Sequence, residues 1–152
     1  MQSGPWQFAF AAHAPDGAVV AVALWNNPSA RTLPHHWLEL RRMACSAEAP
    51  KNTASRFLAW MARYFDQHHP DREKMISYQD TAVHAGTMYK AAGWHVEFVS
   101  KARVRDRSKN RVGTERKYRS DVNGLPAASS EKLRWAKTLR PPRRKPLLEG
   151  IA

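Results

Sequence analysis

The 152-residue sequence predicts an α/β chain, an α+β mixed sheet in which strands and helices interleave. Three observations carry that class: two β-type runs around Pro15-Asp16-Gly17, a helical periodicity after Asn52, and further short strand-like runs alternating with helical ones. Trp6–Ala14 and Ala18–Trp25 form the first hairpin, closed by the Pro-Asp-Gly turn. Asn26–Pro34 carries Asn-Asn-Pro and is a loop, and Trp37–Cys45 is a third strand. Thr53–His69 sets Ala54, Phe57, Leu58, Met61, Ala62 and Phe65 on one helical face; His68-His69-Pro70 closes it with imidazoles at the negative end of the dipole. Lys74–Tyr78 is a short strand, Thr81–Ala92 a second helix stopped by Gly93, and Trp94–Val104 another strand. Lys117–Asp121 is placed as the hairpin partner of that strand, Asn123-Gly-Leu-Pro126 as a linker and Ser130–Leu139 as a short helix. The expected organisation is one domain over residues 1–122, with helices on both faces of its sheet, and a basic linker, short helix and tail over 123–152.

Composition narrows the class. Hydrophobic residues at 43% and aromatic ones at 10% argue for a packed core rather than disorder. The single cysteine, Cys45, excludes an internal disulfide and fits a reducing cytoplasm, and its apolar surroundings predict a buried, inert thiol. No run approaches the roughly 20 apolar residues of a membrane span, and Met1-Gln-Ser-Gly-Pro lacks the charged start of a secretory signal, so a cytoplasmic protein without a membrane partner is expected. The net charge of +12 is uneven: residues 1–100 hold nine Lys/Arg against eight Asp/Glu, and residues 101–152 hold sixteen against five. A neutral body with a cationic last third points to phosphate backbones, the other explanation being a solvated basic tail.

Where Cys45 ends a strand and Thr53 begins a helix, unpaired first-turn amides carry positive partial charge. A diphosphate fits such an end, Lys51 adds a cation, and Asn52 or Thr53 is available to cap the helix.

Further along, Ala85, Tyr89, Gly93 and Trp94 stand at a spacing that resembles the acyl-CoA half of GNAT-type N-acyltransferases. Leu38-Glu39-Leu40-Arg41-Arg42-Met43, Asn52-Thr-Ala-Ser55, Ser77-Tyr78-Gln79-Asp80-Thr81 and Gly86-Thr87-Met88-Tyr89 resemble the phage Mom-like branch of that superfamily. The similarity covers residues 37–95 well and residues 8–28 loosely. It implies a GNAT-like fold with a basic C-terminal extension, and acetyl-CoA or a related acyl-CoA held by its pyrophosphate at Lys51, Asn52, Thr53, Ala54 and Ser55. The usual glycines of that loop are absent; the chain reads Pro50-Lys51-Asn52-Thr53-Ala54-Ser55 instead.

The resemblance also assigns two catalytic candidates. Tyr89 matches the tyrosine that protonates the departing CoA thiolate, a step open to a phenol of pKa near 10; its other role would be a half-buried core side chain. Asp80 closes a strand where acceptor sites form, and matches an aspartate the resemblance marks as functional; its other role would be the N-cap of the following helix. His35, His36 and His84, with Asp80 and Tyr89, are chemically suited to iron or zinc, so a metal ion is a possible cofactor. No paired histidine spacing supports one, and no residue is assigned as a metal ligand.

Arg103, Arg105, Arg107, Lys109, Arg111, Arg116 and Lys117 make a cationic segment suited to nucleic acid, with Tyr118 and Trp135 as surfaces on which bases would stack. The Mom resemblance implies N-acylation of the adenine amine in DNA, which in a bacteriophage protects the genome from restriction and takes place in the host cytoplasm. Reaching that amine requires an extruded base. Two other functions fit the same residues: an acyltransferase for a small-molecule or protein amine, and a non-enzymatic DNA-binding module on the same fold. Deleting residues 105–152 would spare the first and abolish DNA modification.

Overall fold

The computed structural model describes residues 6–101 and 131–139. Strands β1 (Phe8–His13), β2 (Val19–Asn26) and β3 (Trp37–Cys45) lead into helix α1 (Thr53–His68), then β4 (Lys74–Asp80), helix α2 (Thr87–Ala91), β5 (His95–Ser100) and β6 (Lys132–Thr138). One six-stranded sheet runs in the order β1-β2-β3-β4-β6-β5. The β1–β2 hairpin turns at Gly17, whose φ of 88° is left-handed, and Asp16 Oδ1 accepts from the Ala18 amide at 3.0 Å.

β3 and β4 are parallel, and β4 and β5 are both antiparallel to β6, so β3, β4 and β5 share a direction. Two successive right-handed crossovers stepping the same way across a sheet put their helices on one face. α1 and α2 accordingly touch, and their buried side chains join one cluster, rather than flanking the sheet on both sides as the sequence suggested. Phe57, Leu58, Met61, Ala62 and Phe65, five of the six residues predicted for the apolar face, are the buried residues of α1, and the sixth, Ala54, is half-buried. They pack on Ala21, Ala23, Trp25, Leu38 and Met75 of the sheet. Trp25 is fully buried, its indole N–H donating to Met61 Sδ at 3.1 Å.

Three expectations need correction. The described part of the predicted Ser130–Leu139 helix is strand β6, inserted between β4 and β5. Leu133 and Trp135 belong to the core side, so the segment has the period-two pattern of a strand, and pairing with β4 and β5 decided its state. Deleting residues 105–152 would therefore remove an interior strand. The predicted Thr81–Ala92 helix shrinks to Thr87–Ala91, because residues 81–86 bend over Asp80 instead of coiling. Cys45 is exposed at the end of β3 rather than buried, and partial desolvation pushes its thiol pKa up. The Lys117–Asp121 hairpin and the boundary at residue 122 lie outside the described residues. No described helix is long and apolar enough to cross a membrane.

Candidate active site

β3 and β4 pair for only three residues, Trp37↔Lys74, Leu38↔Met75 and Glu39↔Ile76, although the strands are nine and seven residues long. Beyond Glu39 a register shift against β2 re-aims β3: Leu24 faces Arg42 and Trp25 faces Leu40, leaving Arg41 as the extra residue. The C-terminal halves of the two parallel strands thus lie beyond their shared ladder. Crevices at the carboxyl ends of parallel strands are where ligands enter α/β sheets.

Ser77 is the first β4 residue past the ladder. Its Oγ lies 2.7 Å from the Tyr89 hydroxyl, so the phenolic oxygen sits where the strands cease to pair. Tyr89 is 4% exposed, stacked on Trp135 (5.4 Å, 17°) and tilted against Trp94 (5.4 Å, 51°). Burial pushes the phenol pKa above its ordinary 10, and the Ser77 hydrogen bond offsets part of that rise. The ring is therefore protonated at neutral pH.

The sequence missed what orients it. Gln79 is buried, accepting the Trp135 indole N–H at 2.6 Å and donating through Nε2 to the His84 carbonyl. Gly86, at φ 72°, lies so close that an added Cβ would meet Gln79 Oε1 and stand 2.9 Å from Trp135 Cζ2. Ser77 and Gln79 share one face of β4, with Ile76 and Tyr78 on the other, and this alternation of buried polar residues could have marked them. Trp135, expected to stack on bases, is 3% exposed and packs on Tyr89.

Asp80 ends β4 opposite Lys132 of β6. Its Oδ1 accepts from the Ala82 amide at 3.0 Å and its carbonyl from the Val83 and His84 amides, so it organises a bend and does not cap α2, whose N-cap is Gly86. Strand alternation puts Asp80 on the face opposite Ser77, so the structure does not bring Asp80 and Tyr89 into contact.

At the start of α1, Asn52 adopts φ 66°, the one non-glycine positive φ among the described residues. Asn tolerates this region better than other side chains, so Asn52 supplies the left-handed turn where a glycine would otherwise be used. The predicted capping by Asn52 or Thr53 does not occur: α1 has no side-chain cap bond. Thr53 Oγ1 donates instead to the Pro50 carbonyl at 2.6 Å, and Ser55 Oγ to the Asn52 carbonyl at 3.1 Å. Lys51 is exposed beside the turn and Ala54 is half-buried. The Thr53 amide also bonds the Pro50 carbonyl, which leaves the Ala54 and Ser55 amides to an external acceptor, as an anion site requires.

Among the described residues no group of three or more His, Cys, Asp or Glu side chains could hold a metal. His36 pairs with Glu73 at 2.9 Å, away from His84, whose amide is bonded to Asp80. Arg103, Arg105, Arg107, Lys109, Arg111, Arg116, Lys117 and Tyr118 lie outside the described residues.

The family model described as the Mom protein family matches residues 13–141. No curated protein matches the sequence. Among solved structures, ribosomal-protein-alanine N-acetyltransferase from Escherichia coli is similar at 10% identity and a TM-score of 0.60, over 94% of this chain and 76% of that one. A Bacillus subtilis acetyltransferase in complex with CoA is similar at 10% identity and a TM-score of 0.56, over 87% and 76%. A GNAT superfamily phosphinothricin acetyltransferase from Sinorhizobium meliloti, in complex with AcCoA, is similar at 14% identity and a TM-score of 0.54, over 86% and 60%.

Proposed function

The chain belongs to the Mom protein family and has the fold of GNAT acetyltransferases, and from that premise we propose that it transfers an acyl group from acyl-CoA to the exocyclic amine of adenine in DNA. The observation that carries this reading is the Tyr89 hydroxyl at the point where β3 and β4 part, a protonated phenol where the ladder between two parallel strands ends. The uncapped α1 start, with Lys51 and the left-handed Asn52, suits the diphosphate of the donor, its amides and Thr53, Ala54 and Ser55 lining the turn. Binding there supplies a thioester, an activated acyl group with a thiolate as leaving group.

The residues divide the proton work. Asp80, on one face of β4, takes the proton of the attacking amine, directly or through water, as the N–C bond forms. Tyr89, on the other face, gives its proton to the sulfur as the C–S electron pair departs; the phenolate keeps the O–H electron pair and regains a proton from water. Removing a proton from the nitrogen and delivering one to the sulfur are separate transfers at different atoms, so two different groups suit the two tasks.

The acceptor follows from family membership and from sixteen Lys/Arg against five Asp/Glu over residues 101–152. DNA is the partner that balance fits, the adenine being extruded for reaction. In a phage-infected cell such modification would act in the host cytoplasm against restriction. Co-expression with a plasmid, digestion to nucleosides and mass analysis tests the proposal: a new adenine-derived mass is expected, reduced by Tyr89→Phe and by Asp80→Ala. Unmodified nucleosides from well-folded protein, with acetyl-CoA consumed in the presence of small amines, would reassign the acceptor; unaltered yield in Tyr89→Phe would remove Tyr89 from the mechanism.

A further inference from the structure

We propose that Ser77 is a positioning residue that sets the direction of the Tyr89 proton, with Gln79 and Trp135 locking the pair in place. This role deepens the acyl transfer proposed above and rests on it. A phenol has one proton. If Tyr89 donates it to Ser77, it is not available to a leaving thiolate; if Ser77 is the donor, the phenol proton is free to point away from the sheet. The 2.7 Å contact admits either direction, and the serine hydroxyl rotates to suit. Loss of the phenol proton decides between them, because a phenolate only accepts, and the bond from Ser77 then becomes charge-assisted, shorter and stronger. Ser77 thus favours the state Tyr89 reaches after giving up its proton.

The surroundings leave that pair little freedom. Ser77, Gln79, Tyr89, Trp94 and Trp135 are all at most 5% exposed. In the β4–β6 ladder Trp135 stands directly opposite Ser77, which places its indole against the Tyr89 ring. The same indole is held by Gln79, and the Gln79 amide reaches the His84 carbonyl, tying the bend before α2 to β4. A shift of α2 with the bend before it would therefore have to break the Gln79–His84 bond as well as the Ser77–Tyr89 bond. Bound groups whose orientation is fixed in advance by such a surrounding shell lose less in reaching a productive geometry.

The test uses the full chain and two readouts. The first is the alkaline titration of phenolate absorbance, taken as the difference between each protein and its Tyr89→Phe counterpart. Ser77→Ala should move the Tyr89 titration to higher pH, because the charge-assisted donor is gone, whereas Ser77→Thr, which restores a hydroxyl, should return it to the wild-type position. The second is turnover with acetyl-CoA and DNA. Ser77→Ala should lower kcat roughly tenfold with little change in KM for acetyl-CoA, and Ser77→Thr should recover most of it. A Tyr89 titration unmoved in Ser77→Ala, or moved equally in Ser77→Thr, would overturn the role of Ser77 while leaving acyl transfer standing. Full turnover in Tyr89→Phe would instead overturn the acid role of Tyr89, and the titration would still report whether Ser77 donates to it.

Discussion

Gly86 offers the sharpest quantitative test, because Gly17 controls for the backbone part of its effect. Both glycines have left-handed φ, 72° at Gly86 and 88° at Gly17, so alanine at either carries a backbone cost of about 1–2 kcal/mol. Around Gly17 nothing lies within 4 Å of the added Cβ. At Gly86 the Cβ would overlap Gln79 Oε1 and press on Trp135 Cζ2 at 2.9 Å, both buried and hydrogen-bonded to each other. Overpacking of that kind costs about 1–3 kcal/mol more, and displacing the Gln79 side chain adds about 1 kcal/mol for the broken hydrogen bond. Gly86→Ala should thus destabilise by roughly 3–6 kcal/mol and Gly17→Ala by roughly 1–2 kcal/mol, set against a total of about 5–15 kcal/mol for a domain. Urea unfolding of both variants, followed by circular dichroism with a common slope, measures the difference. Equal losses in the two proteins would refute the proposition that Gln79 and Trp135 close tightly over residue 86. A Gly86→Ala,Gln79→Ala double variant that restores about 1 kcal/mol or more relative to the single Gly86 change would assign the clash to that amide.

Three other outcomes are expected. Asn52→Gly should leave stability within a few tenths of a kcal/mol and preserve a thermal shift with acetyl-CoA, whereas Asn52→Val, β-branched at φ 66°, should cost about 1–3 kcal/mol and abolish the shift; the reverse order would dismiss the left-handed turn as a requirement. Glu97, held by Lys74 and by Arg134 at 3.0 Å, has its carboxyl pKa lowered: desolvation works against that direction, but the two cations outweigh it. Its contribution to stability is present above the ordinary carboxyl value of 4.5 and is lost as pH falls through the lowered folded value, so Glu97→Gln should flatten the acid limb of a stability-versus-pH curve. Replacing Arg103, Arg105 and Arg107 together by Gln should weaken DNA binding and reduce the slope of log K against log salt by roughly 0.9 for each phosphate no longer neutralised, a change measurable by fluorescence anisotropy. An unchanged slope would take those three residues off the DNA.

Much of the fold was legible from local pattern. The Pro15-Asp16-Gly17 hairpin, the Trp37–Cys45 strand and the five buried residues of α1 were readable because alternation and the 3.6-residue period act over a few neighbours. The spacing of Ala85, Tyr89, Gly93 and Trp94 likewise survives without any fold around it, and Tyr89 does stand at the parting of β3 and β4. The resemblance of the Asn52–Ser55 segment singled out the turn before α1, but not that Asn52 itself takes the glycine-like φ, a property invisible in composition.

What tertiary structure alone decided was the set of contacts between segments distant in the chain. Lys132–Thr138 has no strong local preference between helix and strand; it became a strand because the open sides of β4 and β5, more than thirty residues away, offered it two ladders of hydrogen bonds. Its insertion moved Trp135 from an imagined base-stacking surface to the wall of Tyr89, and put Gln79 under the bend that shortens α2. The sequence by itself singled out the candidates for acyl-transfer chemistry, together with the first hairpin, β3 and the apolar face of α1. Only the packed sheet decided that Ser77 is the partner of Tyr89 and that Asp80 faces away from it, because strand alternation and long-range pairing assign faces that no single segment specifies.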